Sequence, residues 1–162
     1  MKSKLFKITT VLFITTILTS CGVDIFNRIS GNGNVITEKR KINTDFTSVK
    51  VTSGIDLYIT QGTKVSLTVE ADENLQELIT TEVDNGQLKI YTEKNIWKAK
   101  ARKVHLTITD IEELAATSGS DVYTENMLKV TNFKVSTTSG ADAKISIDAT
   151  TVTSSATSGS DL

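Results

Sequence analysis

"TSGSD" occupies Thr117 to Asp121 and returns at Thr157 to Asp161, with "TSGAD" between them at Thr138 to Asp142 and "TSGID" upstream at Thr52 to Asp56. Ser118, Ser139 and Ser158 follow one another at nearly equal steps, and Ser53 precedes Ser118 by close to three such steps. A step of roughly 20 residues is the spacing of repeats in which each copy is one supersecondary unit stacked on the next. The flanks alternate as strands do. From Phe133 to Ile147 the odd positions read Phe, Val, Thr, Ser, Ala, Ala, Ile, Ile and the even ones Lys, Ser, Thr, Gly, Asp, Lys, Ser. One set suits a core and the other suits water.

Neighbouring copies keep this register. Leu114, Ala116, Ser118, Ser120 and Val122 align with Val135, Thr137, Ser139, Ala141 and Ala143, and Val152, Ala156, Ser158, Ser160 and Leu162 continue most of the same columns. Upstream, Val49, Val51, Ser53, Ile55, Leu57 and Ile59 play the same part. The inward columns at the motif are small, so the coil is expected to be narrow there. Gly54, Gly119, Gly140 and Gly159 would allow a bend, or a close backbone approach that a Cβ would obstruct. The reading is an all-β, single-domain β-solenoid (a β-helix) with coils of about 20 residues. Residues 64–83 and 86–108 would be degenerate coils of it. An antiparallel sandwich is the alternative, because "DNG" at Asp84 to Gly86 can close an ordinary hairpin. Solenoids need a polar cap, and Leu162 follows the last TSGSD in mid-strand, so the chain is expected to be truncated at its C-terminus.

Other segments fit the same class. "NVITEKRKI", "KVSLTVEA", "QLKIYTE" and "KVHLTIT" all alternate with period two. "DENLQELI", Asp72 to Ile79, is the one helical pattern, about two turns long with Asp72 as N-cap. Ser, Thr, Gly and β-branched residues dominate after residue 30, there is no proline, and aromatics make up 6%. A net charge of −1 with both signs interspersed argues against a nucleic-acid partner.

The first residues belong to targeting. Lys2, Lys4 and Lys7 precede a short apolar run, Ile8 to Leu18, which cannot span a bilayer because a span needs ~20 residues. The run ends in "LTSC", which resembles a bacterial lipobox. Residues 1–20 are thus expected to be a lipoprotein signal peptide. Cys21, the only cysteine, is the expected lipidation (palmitate) site, and no disulfide is possible. Residues 21–34, ending in "SGNGN", read as a flexible tether, and residues 35–162 as the folded domain. Several acyl chains would anchor the protein to a membrane without spanning it.

The leader, "FTSVKVTSGIDLYITQG" at Phe46 to Gly62, "LTVEADENLQELITTEVDNGQLKIYTE" and the SG-centred repeats together resemble the putative auto-transporter adhesin family, or head GIN domain, common among Bacteroidetes. The Gly-Ile-Asn signature falls on Gly54 to Asp56, with Asp in place of Asn. The resemblance spans residues 33–162. It implies a β-solenoid cell-envelope domain with no catalytic residues carried over. Together with the leader it gives the expectation of a lipid-anchored, outer-membrane, adhesin-like module. Neither leaflet nor ligand follows from it.

Thr117, Asp121, Thr138, Asp142, Thr157 and Asp161 form the candidate ligand-facing column. Acid–base hydrolysis of a glycoside needs two carboxylates in unlike environments, and a repeated column offers one environment, so no enzyme and no cofactor are expected. Ca²⁺ could bridge Asp121 and Asp142, but the motif lacks the Gly and Asp density of calcium-binding repeats, and hydrated ladder residues are the reading preferred. No metal is assigned. His105, the only histidine, reads as a polar-face strand residue. The run "KAKARK", Lys98 to Lys103, beside Trp97, could grip an anionic glycan or lipopolysaccharide, although such runs are commonly solvated loops. There is no G-x-S-x-G elbow. The function expected is a membrane-anchored, non-enzymatic module binding a glycan or surface protein. The alternatives are an envelope scaffold with no specific ligand or, less favoured, a carbohydrate-active enzyme.

Overall fold

The computed structural model describes residues 28–162, so the signal segment, Cys21 and the tether up to Asn27 lie outside the described residues. The strands are β1 (Ile29–Ser30), β2 (Val35–Arg40), β3 (Ser48–Val51), β4 (Asp56–Gln61), β5 (Ser66–Asp72), β6 (Thr80–Asp84), β7 (Gln87–Tyr91), β8 (Ile96–Lys98), β9 (Arg102–Ile108), β10 (Glu113–Thr117), β11 (Asp121–Thr124), β12 (Leu128–Thr138), β13 (Asp142–Lys144) and β14 (Ile147–Ala156). Two open six-stranded sheets share one core in a sandwich-like arrangement, ordered β14-β12-β10-β3-β7-β6 and β13-β11-β4-β9-β5-β2, and β1 pairs with β8 apart from them. The all-β, single-domain expectation holds.

The TSG motifs are the corners at which the chain crosses between sheets. β3 passes to β4, β10 to β11 and β12 to β13, and successive copies pair in parallel: Leu114 with Val135, Val122 with Ala143, Phe133 with Val152. The alternation is borne out between corners, where Val49, Val51, Leu57, Ile59, Leu114, Ala116, Val122 and Val135 are buried.

A uniform solenoid of sequential coils is not what forms. Leu114 pairs directly with Val49 and Val122 with Leu57, so the long stretch between the first two TSG copies amounts to one step, not three. The intervening chain goes to the other side of β3 and β4, where β7 and β9 pair with them in parallel. Residues 64–83 are not a coil of the same sense. β5 runs antiparallel to β9 and β2, and β6 antiparallel to β7. The "DNG" signal explains the last pair. Asn85 and Gly86 have φ of 49° and 76°, the two positive values a tight hairpin turn needs, and they join Asp84 to Gln87.

Two local expectations change. Residues 73–78 form a 3-10 helix, and Asp72 makes no side-chain cap bond. Its buried carboxylate instead accepts from the N–H groups of Gly33 (2.6 Å), Lys100 (2.7 Å) and Ala101 (3.2 Å), tying three segments together. The tether expectation also stops short of residue 34. β1 pairs with β8, Gly31 N–H donates to the Lys98 carbonyl at 2.7 Å, and a Cβ on Gly31 would meet the Asp72 carboxyl.

The core tapers along the stack. The fully buried large side chains run from Ile55 to Leu128, each contributing about 1.5–3 kcal/mol. Beyond them the interior is Phe133, Val135, Ala141 and Ala143, and Val152 and Leu162 are half exposed.

Candidate binding face

Each corner rests on two consecutive residues in the left-handed region. Ser53, Ser118, Ser139 and Ser158 have φ of 69°, 56°, 57° and 56°, and the glycines after them 65°, 69°, 71° and 73°. A Cβ on Gly119, Gly140 or Gly159 would meet nothing within 4 Å, so glycine is needed there for its φ and not for a close approach. The corners hydrogen-bond up the stack: Gly54, Gly119 and Gly140 N–H donate to the carbonyls of Ser118, Ser139 and Ser158 at 3.0, 3.1 and 3.2 Å. The bend also overturns the inward assignment of the corner serines, since Ser118, Ser139 and Ser158 face solvent. The inward position is the fourth residue of each motif: Ile55, Ser120 and Ala141 are fully buried, and the Ser120 hydroxyl accepts from Ile55 N–H at 3.1 Å.

The residues expected from sequence stack on their own kind on either side of the corner, the threonines before it on the side of the first sheet and the aspartates after it on the second. Thr117 pairs with Thr138, and Thr157 Oγ1 donates to Thr138 Oγ1 at 3.1 Å. Asp121 pairs with Asp142, and Asp142 with Asp161, whose N–H donates to Asp142 Oδ1 at 3.0 Å. The pairing of Leu57 with Val122 adds Asp56 to the same column, below Asp121. Among the described residues, none of Asp121, Asp142 and Asp161 forms an ion pair. Asp56 differs from them. Burial and then the charge of Asp121 raise its pKa above the usual carboxylate value, with Arg102 and Lys103 opposing. The column therefore offers unlike environments at one end, where the repeat alone had implied a single one.

A second row, to which the motif gave no pointer, runs beside it on the same outward face. His105, Tyr58 and Tyr123 stack with ring centres 5.1 and 5.2 Å apart, and Lys144 Nζ lies 6.0 Å from the Tyr123 ring centre. Glu70 Oε2 sits 3.2 Å from His105 Nε2. His105 is thus a strand residue in a side-chain ladder. Tyr123 donates weakly to Asp121 Oδ2 at 3.4 Å, and burial followed by the Asp121 charge raises its pKa. The sequence signal was available, because Tyr58 and Tyr123 are separated by the same interval as Ser53 and Ser118.

The family model for "Putative auto-transporter adhesin, head GIN domain" matches residues 45–162. The chain belongs to this family. The head GIN domain here is also similar to solved structures. A putative adhesin from Bacteroides fragilis NCTC 9343 has a TM-score of 0.75 at 20% identity, over 82% of this chain and 62% of that one. A putative adhesin from Parabacteroides merdae ATCC 43184 has 0.70 at 18%, over 80% and 55%. A putative lipid binding protein from Parabacteroides distasonis ATCC 8503 has 0.68 at 24%, over 75% and 53%. These likenesses concern the fold, and the chain spans 53% to 62% of the length of those three structures. No curated protein matches the chain.

A second polar feature lies at the opposite turns: an open groove of about 720 Å³ lined by Gln61, Asp110, Glu112, Lys129, Asn132 and Asp148 among others. The Gln61 amide organises it, donating to the Thr109 and Lys129 carbonyls at 3.2 and 3.1 Å and accepting from Lys129 N–H at 2.7 Å. None of the column's aspartates lines this groove. Its residues come from the end of β4, the β9–β10 turn and the first residues of β12 and β14, without a shared motif, so no repeat pointed to them. Among the described residues no group of three or more His, Cys, Asp or Glu side chains converges as a metal site, and no helix is long and apolar enough to cross a membrane.

Proposed function

We propose that this protein is a lipid-anchored cell-envelope module that binds a glycan or a surface protein, without catalysis, through the threonine–aspartate column. The column carries the reading. Asp121, Asp142 and Asp161 stand at strand spacing on an outward sheet face with no cation of the described chain paired to them. Such a row of acceptors, with Thr117, Thr138 and Thr157 across the corner from it, is matched by a partner with regularly spaced hydroxyl or ammonium donors. The adhesin description of the family agrees, and the TSG-bearing part of the domain is on this reading a solenoid-like stack that displays the column. Residues 1–20 act as signal peptide and Cys21 carries the lipid, so that Cys21→Ser loses incorporation of labelled palmitate.

The test is a glycan array together with a surface-protein pull-down, using the intact chain and a variant with Asp121→Ala and Asp142→Ala. Binding by the wild type that the variant loses supports the column. Binding that survives in the variant, and is lost instead with Lys129→Ala and Asp148→Ala, moves the site to the polar groove. Silence of the folded wild type in both assays favours a scaffold without a specific ligand.

A further inference from the structure

We propose that the end of the fold bearing β1 and β8 lies against an anionic lipid surface, with Trp97 in the headgroup layer. Trp97 is the only tryptophan of the chain, and it is 53% exposed on β8 although its neighbour Ile96 is buried. The Arg28 guanidinium sits 3.9 Å from its ring centre. In the flanking sequence Lys94, Lys98 and Lys100 are exposed, and among the described residues none of them forms an ion pair. Between residues 93 and 103 the one acidic residue is Glu93, against Lys94, Lys98, Lys100, Arg102 and Lys103, of which Lys103 pairs with Glu70 at 3.8 Å. An exposed indole with a guanidinium over its ring and exposed lysines flanking it in sequence is the pattern that settles at a membrane–water interface, where its apolar body and polar N–H are both satisfied. Clustered ammonium groups are drawn to anionic headgroups there.

The occupant follows from where the chain comes from. Ile29 N–H donates to the Asn95 carbonyl at 2.9 Å and Gly31 N–H to the Lys98 carbonyl at 2.7 Å, so the first described residues are pinned alongside Trp97. Arg28 is seven residues from Cys21, at most ~25 Å of chain. The inference rests on the proposed lipid anchor for this argument, because acyl chains on Cys21 hold this end of the fold close to the bilayer. Charge then orients it. The second sheet runs from β9 through β4 and β11 to β13, so Asp121, Asp142 and Asp161 lie progressively farther from the basic end. An anionic surface attracts one end, repels the other, and leaves the column facing outward.

The intact, lipidated protein is placed in vesicles of phosphatidylcholine alone and of phosphatidylcholine mixed with phosphatidylglycerol. Flotation reads the anchor, and the fluorescence of the single tryptophan reads the contact. With phosphatidylglycerol, Trp97 emission should move to the blue, acrylamide quenching should fall several-fold, and brominated lipid should quench. Added salt should reverse these changes, because it screens the headgroup charge. A variant with Lys98→Glu and Lys100→Glu should float as the wild type does and lose the phosphatidylglycerol-dependent shift. Wild-type protein that floats with Trp97 equally quenchable in both vesicles overturns the contact and leaves the anchor standing, as does a variant that shifts like the wild type. If the wild type does not float, the anchor reading falls. A shift on adding phosphatidylglycerol vesicles then still sustains the contact, and no shift overturns it.

Discussion

Gly140 and Thr137, neighbours at one corner, have opposite reasons for being what they are. Gly140 has a φ of +71° with open space where a Cβ would go, so its cost of substitution is conformational, and a β-branched side chain is the least able to adopt that angle. Gly140→Val should destabilise by about 1–2 kcal/mol. Thr137 is buried and its hydroxyl has no hydrogen-bond partner, so Thr137→Val keeps the shape and removes an unsatisfied group. That change should be neutral or stabilise by up to about 1 kcal/mol. Thermal melts of the two variants decide the matter, and a Thr137→Val protein that melts well below the wild type would show that the hydroxyl is used. Asp72 adds a pH dependence. Burial would raise its pKa, but hydrogen bonds from Ala101, Lys100 and Gly33 outweigh it and the net shift is downward. A lowered native pKa means that the stabilisation is present above the unfolded value of about 3.9 and is lost as pH falls through the native value. Asp72→Ala leaves three backbone donors unsatisfied and should cost roughly 3 kcal/mol at neutral pH. Asp72→Asn should flatten the acid limb of a stability-against-pH curve, and an unchanged limb would assign that limb to other groups.

At the scale of strands, the column of aspartates is where like charges lie side by side, and repulsion between them should be relieved by water and by neighbouring donors such as the Asp161 N–H. A Ca²⁺ ion could do the same through oxygen ligands, and binding with a dissociation constant a hundredfold below the ion concentration would add ~2.7 kcal/mol to stability. The expected outcome is a melting temperature indifferent to millimolar Ca²⁺ and to EDTA; a rise with one and a fall with the other would make the column a calcium site. Strand columns were legible in the sequence because side-chain period does not depend on what a strand pairs with. Val49, Leu114 and Val135 could be aligned by eye, and they do share a sheet. Pairing partner and direction were not legible. "KVSLTVEA" and "KVHLTIT" alternate alike, yet β5 runs antiparallel to β9, since alternation carries no sign of direction. The long interval between the first two TSG copies misled for a related reason. Residues that leave a stack and return beside their starting point are counted by sequence as further steps, although Gly54 and Ser118 hydrogen-bond directly. Alternation assigns the corner serines to the wrong face because parity does not carry through a bend of two left-handed residues. Tyr58 and Tyr123 share the interval of Ser53 and Ser118, but His105 belongs to no TSG copy and joins their row only through the pairing of β4 with β9.

As a whole molecule, the protein is an asymmetric stack whose cohesion should fall from one end to the other. β3, β4, β7 and β9 have partners on both sides and surround Val49, Leu57, Leu88 and Val104, all fully buried. At the far end β14 pairs only with β12, and the cleft between Phe133, Val135, Ala143, Ile145, Ile147, Val152 and Leu162 has a volume of about 120 Å³. Most residues of β14 are exposed, and from Ile147 to Ala156 only Asp148 carries a charge. In a stacked architecture stability is close to a sum over neighbouring interfaces, so an end strand with one interface opens at lower free energy than the centre. Native-state hydrogen exchange should therefore show the slowest amides in β4 and β9, intermediate ones in β10 and β11, and the fastest strand amides in β14. Val152→Lys tests the same gradient, because its side chain is already half exposed and the change should speed exchange in β14 and β12 while leaving β9 as it was. Uniform protection from β9 to β14, or loss of protection in β9 on substituting Val152, would mean that the domain opens as one cooperative unit and that the taper of its core has no energetic consequence.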